Sequence, residues 1–265
     1  MRLQGRLQRD SRTQDDKGQD QEAMKIAVVG KGGVGKTTIS AFLVSILSEK
    51  GKVLAIDADP AGGLSISLGI RVRRTLEDVR NEIADLIRQK YDKVEIASSI
   101  DYKLLEALHE GEKFLFLAMG RPEDEGCYCQ LNSMLREAIE MVSGSFDYVV
   151  IDGEAGVEQI NRRVMKSVEY LLVVTDSTRK GFQVANQIRS VADRAVKFKK
   201  CALVVNRVRG QPDVEAGNFD FVFLIPEDES VFRFDVEGKP LTDIRDSPAF
   251  KSVKNIAETL LFQGL

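Results

Sequence analysis

A glycine-rich segment, GKGGVGKTT at residues 30–38, has residue types suited to binding a phosphate group. It matches the pattern G-x-x-x-x-G-K-[ST], with Gly30, Gly35, Lys36 and Thr37 at the defined positions. Glycines let backbone N–H groups surround a phosphate, and the dipole of a following helix adds attraction for the anion. We predict that Lys36 contacts the β- and γ-phosphates of a nucleotide and that the Thr37 hydroxyl binds Mg²⁺. The predicted nucleotide-binding residues of this loop are Gly30, Lys31, Gly32, Gly33, Val34, Gly35, Lys36, Thr37 and Thr38.

A second candidate site is the pair of thiols Cys127 and Cys129 in the stretch EDEGCYCQLN. Thiolates suit nickel, zinc, copper(I) or iron–sulfur clusters, and a Cys-x-Cys pair places both sulfurs on one side of an extended segment. Two sulfurs are too few, because structural zinc and square-planar nickel(II) take four ligands. A twofold axis between two identical chains would repeat the pair and supply four.

The alternative for these thiols is a structural one, because cysteine is often a small buried hydrophobic residue. We interpret Cys201 in CALVVN in that way, whereas the polar run RPEDEG before Cys127 favours a surface loop. His109, the single histidine, is interpreted as a surface residue near a helix end rather than as a third metal ligand. Asp124 and Glu125 are interpreted as solvated.

Apolar runs that alternate with helical segments surround both candidate sites. The loop follows MKIAVVG and precedes an amphipathic helix, KTTISAFLVSILSEKG, and this context makes the phosphate motif more credible than a chance glycine loop. Further apolar runs are KVLAID, KFLFLAM, FDYVVID, YLLVVTD, CALVVN and FDFVFLI. Buried strands alternating with helices predict a parallel sheet covered on both faces. We therefore predict an α/β fold, a single doubly wound P-loop domain whose mostly parallel sheet has about seven strands.

The domain is predicted to span residues 24–265. Residues 1–23 are polar and lack hydrophobic periodicity, so they are interpreted as a disordered extension. The alternative is that they are an artefact of the gene prediction, with translation starting at Met24.

Composition excludes several classes of function. The chain has 265 residues, 43% hydrophobic and 30% charged, with a net charge of −3, so it lacks the basic character of a nucleic-acid-binding domain. Neither a run long enough to span a membrane nor a signal peptide is present in the sequence. Three cysteines, an odd and low number, indicate a reducing compartment, and we expect a cytoplasmic protein that binds neither nucleic acid nor membrane.

Lys31 lies directly after the first glycine of the loop, and this lysine makes the loop sequence resemble that of one particular class of ATPases. KGGVGKTT resembles the deviant Walker A signature of the MinD/ParA/nitrogenase-iron-protein class of ATPases. The resemblance implies that Lys31 reaches the nucleotide of a partner subunit and that ATP joins two subunits into a homodimer. It also implies that Lys31, Lys36 and Asp59 are the catalytic residues.

Aspartates follow two strands where this class carries them. LAIDADPAGG resembles switch I, which implies that Asp59 orients the attacking water, while Asp57 lies on the same side of the extended chain and contacts a magnesium-bound water. YVVIDGEAG resembles Walker B and switch II, which implies that Asp152 holds the magnesium shell and that Gly156 senses the γ-phosphate. An aspartate at a strand end can instead be a helix N-cap. Some relatives carry Asp or Asn where this chain has Gly63. The implied magnesium residues are Thr37, Asp57 and Asp152.

Adenine recognition is implied by VVNRV and FLIPED. Relatives bind the base with an asparagine at the end of the sixth strand and with backbone groups after a proline. By resemblance these are Asn206, Pro226, Glu227 and Asp228. An asparagine at a strand end is also a common turn residue.

Within the class, the cysteine pair indicates a subfamily. GCYCQLNSMLREAI and IDGEAGVEQINRR resemble segments of the CooC-type nickel ATPases that mature carbon monoxide dehydrogenase, together with the AcsF-type proteins of acetyl-CoA synthase. The resemblance runs from Met24 to the C-terminus. It implies that Cys127 and Cys129 bind nickel, with zinc possible at the same site, and that the cofactors are ATP and Mg²⁺. The implied partners are a second copy of the chain and a client nickel enzyme.

Two other functions stay open at this point. A positioning ATPase of the MinD or ParA kind would bind membrane or DNA through a basic surface, which this acidic chain does not clearly offer. An electron-transfer protein like the nitrogenase iron protein would share an iron–sulfur cluster across its dimer axis, but through widely separated cysteines.

Overall fold

The computed structural model describes residues 22–121, 129–153, 164–214 and 217–263. The strands within these residues are β1 (Met24–Gly30), β2 (Val53–Asp57), β3 (Leu108–Glu110), β4 (Phe114–Ala118), β5 (Tyr148–Asp152), β6 (Ser167–Thr175), β7 (Lys197–Val208) and β8 (Phe221–Pro226). The helices are α1 (Lys36–Leu47), α2 (Gly63–Ser67), α3 (Leu76–Arg88), α4 (Lys93–Ala107), α5 (Cys129–Ser143), α6 (Arg179–Ala195), α7 (Glu229–Glu237) and α8 (Pro248–Gln263). A 3₁₀ turn covers Leu241–Asp243.

The described strands form one sheet with the order β3-β4-β2-β5-β1-β6-β7-β8. Every neighbouring pair is parallel except β3 and β4. Because the strands are parallel, the loops that leave their carboxyl ends meet at one edge of the sheet, where ligands of open α/β folds bind. β1 is central in this arrangement, between β5 and β6.

Alternate residues of the central strands pack on opposite faces of the sheet. Ile26 and Val28 of β1 contribute to the core on the side of α1 and α8, whereas Ala27 and Val29 contribute to the core on the side of α3 to α6. Both faces of the sheet are therefore covered, and the central strands β1, β2 and β5 are mostly apolar and buried. This confirms the predicted doubly wound α/β fold.

The strand count differs from the prediction by one. The seven predicted strands are all present, and the additional strand is β3, which pairs antiparallel with β4 at the sheet edge. β3 has three residues, LHE, within the segment LEALHEG, where a helix end was expected. Three residues carry too little alternation to be recognised from sequence.

The helix after the glycine loop anchors the site in the core. In α1 ten residues are buried, including Phe42, whose ring meets Phe250 of α8 edge-on with centroids 5.3 Å apart. α8 buries six residues, so the last helix packs against the domain. Among the described residues, no helix is both long and apolar enough to cross a lipid bilayer.

The expectation of a disordered extension at residues 1–23 falls almost entirely outside the described part of the chain, which begins at residue 22.

Candidate nucleotide-binding site

Two glycines of the phosphate loop are required by its geometry. A Cβ on Gly30 would lie 2.2 Å from the carbonyl oxygen of Val174, because β1 and β6 approach closely there. Gly35 precedes α1 with a left-handed φ of 94°, and a Cβ there would lie 2.3 Å from Nδ2 of Asn206. The loop conformation is therefore accessible only with glycine at these positions.

The two lysines of the loop differ in environment. Lys36 is 7% exposed, and its Nζ donates to the carbonyl oxygen of Lys31 across the loop at 3.4 Å. Lys31 is exposed at the tip. The first placement suits a cation that contacts phosphates inside the loop, and the second suits a side chain that reaches another molecule.

Asp152 lies at the end of β5, directly beneath the start of α1. Its carboxylate accepts hydrogen bonds from Oγ1 of Thr37 at 2.8 Å and from Oγ of Ser40 at 3.0 Å. Burial raises the pKa of Asp152 to about 6, while the two hydroxyls and Lys36 oppose that rise and Asp59 adds to it. The sequence analysis missed Ser40, whose signal is its spacing of one helical turn from Thr37.

Asp57 ends β2 in register with Asp152 on the neighbouring strand. Its Oδ2 accepts from the backbone N–H of Leu64 at 3.0 Å and of Ser65 at 3.4 Å, which holds α2 against the strand end. Burial, followed by the charge of Asp152, raises the pKa of Asp57 to about 7.

These two carboxylates fit a magnesium site. Both Asp57 and Asp152 are 1% exposed, and burial raises their pKa values because it penalises the charged forms. A divalent cation bound to the two carboxylates would stabilise those charged forms. Mg²⁺ is usually held by one or two carboxylates together with phosphates and water. The residues that would hold it are the predicted ones, Thr37, Asp57 and Asp152.

Asp59 is half-buried in the loop after β2, and its Oδ1 accepts from the N–H of Ala61 at 2.9 Å. Gly63 lies close by: a Cβ there would contact the methyl group and hydroxyl of Thr37 at 3.5 and 3.6 Å. The position where some relatives carry Asp or Asn therefore borders the magnesium residues. The role of Asp59 in orienting water stays a prediction.

The residues predicted to bind adenine lie at the carboxyl ends of β7 and β8. Nδ2 of Asn206 donates to the carbonyl oxygen of Val34 at 2.8 Å, so this side chain holds the phosphate loop. Asp228 is the N-cap residue of α7, and its carboxylate accepts from the N–H of Ser230 at 3.0 Å. The same carboxylate accepts from the N–H of Ala249 at the start of α8. Contact with a base stays a prediction for these residues.

The remaining adenine prediction concerns Pro226, which is the last residue of β8, and Glu227, which follows it. Glu227 is exposed and forms two hydrogen bonds with Arg209. The backbone N–H of Glu227 also donates to the carbonyl oxygen of Val208 at 3.1 Å. Contact of the Glu227 backbone with the base stays a prediction.

Arg207 was missed by the sequence analysis. It has a left-handed φ of 56°, and its Nη1 donates to the carbonyl oxygen of Gly33 in the phosphate loop at 3.1 Å. This contact cannot be predicted from a local residue pattern, because it joins positions 174 residues apart.

The candidate metal site falls largely outside the described residues. Cys127 lies in the gap at 122–128, as do Asp124 and Glu125, and Gly156 lies in the gap at 154–163. Cys129 begins α5, but its side chain is not described. In the described ranges, no group of three or more His, Cys, Asp or Glu side chains forms a metal-binding cluster. Nickel binding by the cysteine pair stays a prediction.

Two interpretations of single residues can be compared with the structure. Cys201 is fully buried, and burial raises the pKa of its thiol to about 12, which confirms that it is a structural residue. The Nε2 atom of His109 accepts from the N–H of Arg73 at 2.8 Å, and its ring packs near Phe116. His109 thus has a structural contact at the edge of the sheet, in β3 rather than at a helix end.

A glycine loop that leaves the central strand of a parallel sheet, with a buried lysine inside it and carboxylates on the adjoining strand ends, is the arrangement of P-loop nucleoside triphosphatases. The AAA domain family (AAA_31) matches residues 23–202, and the chain belongs to this family.

Known proteins similar to this chain narrow the class. An uncharacterized ATP-binding protein of Methanocaldococcus jannaschii is 35% identical, over 90% of this chain and 98% of its own length. The carbon monoxide dehydrogenase accessory protein CooC of Rhodospirillum rubrum is 29% identical, over 85% of this chain and 91% of its own. The septum site-determining protein MinD of Pyrococcus horikoshii, solved with Mg-ADP, shares the fold with a TM-score of 0.65 and 23% identity, covering 92% of this chain and 99% of that one.

The chain is accordingly a P-loop ATPase of the AAA domain family that shares its fold with MinD, and ATP and Mg²⁺ are the nucleotide and metal expected for such a site.

Proposed function

We propose that this ATPase is a nucleotide-dependent dimeric nickel carrier that matures carbon monoxide dehydrogenase or acetyl-CoA synthase. The observation that carries the proposal is the hydrogen bonding of residues 119–121, which come directly before the segment that contains Cys127 and Cys129. The residues that lead into it are hydrogen-bonded to the strand end and loop that carry Asp57 and Asp59. The similarity to the CooC accessory protein supports the class of client.

Two contacts join the nucleotide site to the residues directly before this segment. The N–H of Met119 donates to the carbonyl oxygen of Asp57 at 2.9 Å, and Nε of Arg121 donates to the carbonyl oxygen of Pro60 at 2.8 Å. Residues 58–62 are the switch I loop implied by the resemblance, and residue 121 directly precedes the cysteine segment. A movement of the loop on ATP binding or hydrolysis would therefore displace the residues that lead to the thiols.

Residues 119 and 120, which precede the segment, also pack against the start of α3. A Cβ on Gly120 would lie 2.6 Å from Oγ1 of Thr75, and the carbonyl oxygen of Met119 accepts from the N–H of Glu77 at the start of α3. With residues 119 and 120 held against α3, the bond between Arg121 and Pro60 is the contact able to respond to the loop.

In the proposed ATPase cycle, water attacks the γ-phosphorus and the bond to the β–γ bridging oxygen breaks, giving ADP and phosphate. Asp59 orients the water, and Lys36 together with Lys31 of the second subunit stabilises the negative charge that develops on the phosphoryl oxygens. When bound at Thr37, Asp57 and Asp152, Mg²⁺ supplies further positive charge to the phosphates.

Nickel is the cargo of the proposed cycle. Each subunit contributes the thiolates of Cys127 and Cys129, and a symmetric dimer supplies the four ligands of a square-planar nickel(II) site. ATP and ADP states must differ in nickel affinity, because only a difference in affinity allows the nucleotide to drive release. In this proposal residues 24–265 act as one cytoplasmic ATPase domain.

The proposal is tested by equilibrium nickel binding to the purified chain in the absence of nucleotide, with ADP, and with a non-hydrolysable ATP analogue. We expect the parent to bind nickel with a nucleotide-dependent affinity and the Cys127→Ser, Cys129→Ser double variant to lose binding. Cys201→Ala is the matched control, because it removes the buried thiol and should retain nickel. Nickel binding that survives in the double variant would exclude the cysteine pair as the site.

A positioning ATPase of the MinD kind is the second candidate, favoured by the fold shared with Pyrococcus horikoshii MinD. It predicts co-sedimentation with liposomes or with DNA in the presence of ATP. Binding of either one, together with an absence of nickel binding by the parent, would favour this function over nickel delivery.

A further inference from the structure

We propose that Asn206 and Arg207 form a clamp that holds the phosphate loop in its anion-binding conformation before nucleotide arrives, which makes Arg207 a positioning residue for the nucleotide phosphates. This inference rests on the ATPase class of the chain and not on nickel delivery.

An irregular strand end brings both side chains to the loop. The pairing of β7 with β8 shifts register between Val205 and Val208, and Arg207 within this bulge has a φ of 56°. Successive residues of a regular strand point to opposite faces of the sheet, whereas a bulge redirects a side chain. Here Asn206 and Arg207 both reach the phosphate loop.

The left-handed backbone of Arg207 has an energetic cost for a residue with a Cβ, and such conformations are concentrated at functional sites. Glycine or asparagine would adopt this conformation more readily than arginine. What the arginine contributes at this position is therefore its side chain, and the described hydrogen bond of its guanidinium is to the carbonyl of Gly33.

The two contacts fix successive peptide groups of the loop. Nδ2 of Asn206 donates to the carbonyl oxygen of Val34 at 2.8 Å, and Nη1 of Arg207 donates to that of Gly33 at 3.1 Å. In a trans peptide the C=O of one residue and the N–H of the next point in opposite directions. Holding these carbonyls on the outside of the loop therefore turns the N–H groups of Val34 and Gly35 away from the clamp, which is the orientation needed to bind an anion.

Close packing supports the same conclusion. The amide of Asn206 occupies the space that a side chain at Gly35 would need, since a Cβ there would lie 2.3 Å from Nδ2. Asn206 is 7% exposed, so its hydrogen bond to Val34 is shielded from water. Arg207 is exposed, and its contact with Gly33 extends the clamp from the buried asparagine to the surface of the loop.

The test compares the parent with Arg207→Asn and Arg207→Gly, which accept a positive φ but cannot reach Gly33, and with Arg207→Lys, which keeps a long cationic donor. Calorimetric titration with MgADP and with pyrophosphate separates a contact with the phosphates from one with the base. Arg194→Ala, at the far end of α6, is the control for the loss of one positive charge. Thermal unfolding without nucleotide reports whether each variant is folded.

We expect Arg207→Asn and Arg207→Gly to melt no lower than the parent while their dissociation constants for MgADP and pyrophosphate rise by a common factor, roughly fivefold. We expect Arg207→Lys to recover part of the loss and Arg194→Ala to match the parent. Pyrophosphate affinity equal to that of the parent in both short variants would overturn the clamp. A loss confined to MgADP would do the same, because it would assign Arg207 to the base.

Discussion

At the scale of single residues, the site is dominated by two buried carboxylates with raised pKa values. Asp57 and Asp152 lie side by side on neighbouring strands, and burial raises the pKa of each toward neutrality. Such a pair favours binding of a divalent cation and also makes that binding depend on pH, because protons compete for the carboxylates. The hydroxyls of Thr37 and Ser40 oppose the rise at Asp152.

A prediction at this scale concerns Ser40. The Ser40→Ala substitution removes a hydrogen bond to the charged form of Asp152, so the pKa of Asp152 rises further above its parent value of about 6. In the proposed cycle the ionised carboxylate of Asp152 holds Mg²⁺, so the acidic limb of the pH–rate profile is expected to move to higher pH. At pH 6 we expect a loss of activity of about threefold to fivefold, recovered by pH 8.

The control for this profile is Ser48→Ala, directly after the end of α1. The hydroxyl of Ser48 donates to the carbonyl oxygen of Val44 and not to Asp152. An unshifted pH–rate profile in Ser40→Ala would show that the hydroxyl does not tune Asp152.

At the scale of elements, the carboxyl ends of β1, β2 and β5 bring the phosphate loop, Asp57 and Asp152 together. Arg121, directly before the cysteine segment, is hydrogen-bonded to the same region. Nε of Arg121 donates to the carbonyl oxygen of Pro60, next to Asp59. This single side-chain contact is the described route by which the loop at 58–62 can act on the segment that follows residue 121.

Arg121→Ala is therefore expected to uncouple the two sites. The variant should bind nickel without nucleotide as the parent does. The difference in nickel-binding free energy between the ADP state and the ATP-analogue state should fall to half of the parent difference or less. Nickel titrations under the two nucleotide conditions provide the measurement, and Arg88→Ala on the exposed end of α3 serves as control. An undiminished difference in Arg121→Ala would remove this contact from the coupling.

The strands, the phosphate loop and the contacts between distant residues could be predicted from the sequence to different degrees. Seven parallel strands and the phosphate loop could be predicted, because buried strands produce apolar runs and the loop needs glycine at Gly30 and Gly35 for reasons of backbone geometry. β3 was missed because three residues carry no periodicity. The bulge at Arg207 and the contact of Arg121 with Pro60 could not be predicted, because each depends on chain segments that meet only in the folded protein.

At the scale of the whole molecule, the account requires two subunits. Lys31 is exposed at the loop tip, while Lys36 lies inside the loop, so the side chain of Lys31 is accessible to a second subunit. If Lys31 acts on the nucleotide of the partner subunit, Lys31→Ala should bind MgATP but not hydrolyse it.

Mixing two inactive variants distinguishes action across the dimer from action within one chain. Lys31→Ala and Asp59→Ala are each expected to be inactive, but a mixed dimer contains one site with an intact Asp59 and an intact Lys31 from the partner. An equal mixture should recover about a quarter of the parent ATPase activity, since half of the dimers are mixed and each has one working site. If Lys31 acts within its own chain, no activity returns.

The most direct test of the central claim is nickel X-ray absorption spectroscopy on the nickel-loaded chain, combined with nickel quantification and sedimentation analysis of its dimer fraction. The account predicts four sulfur ligands around each nickel and one nickel for two chains in the dimer. Nickel bound mainly through nitrogen or oxygen, or retained at one ion per chain by a monomer in every nucleotide state, would contradict it.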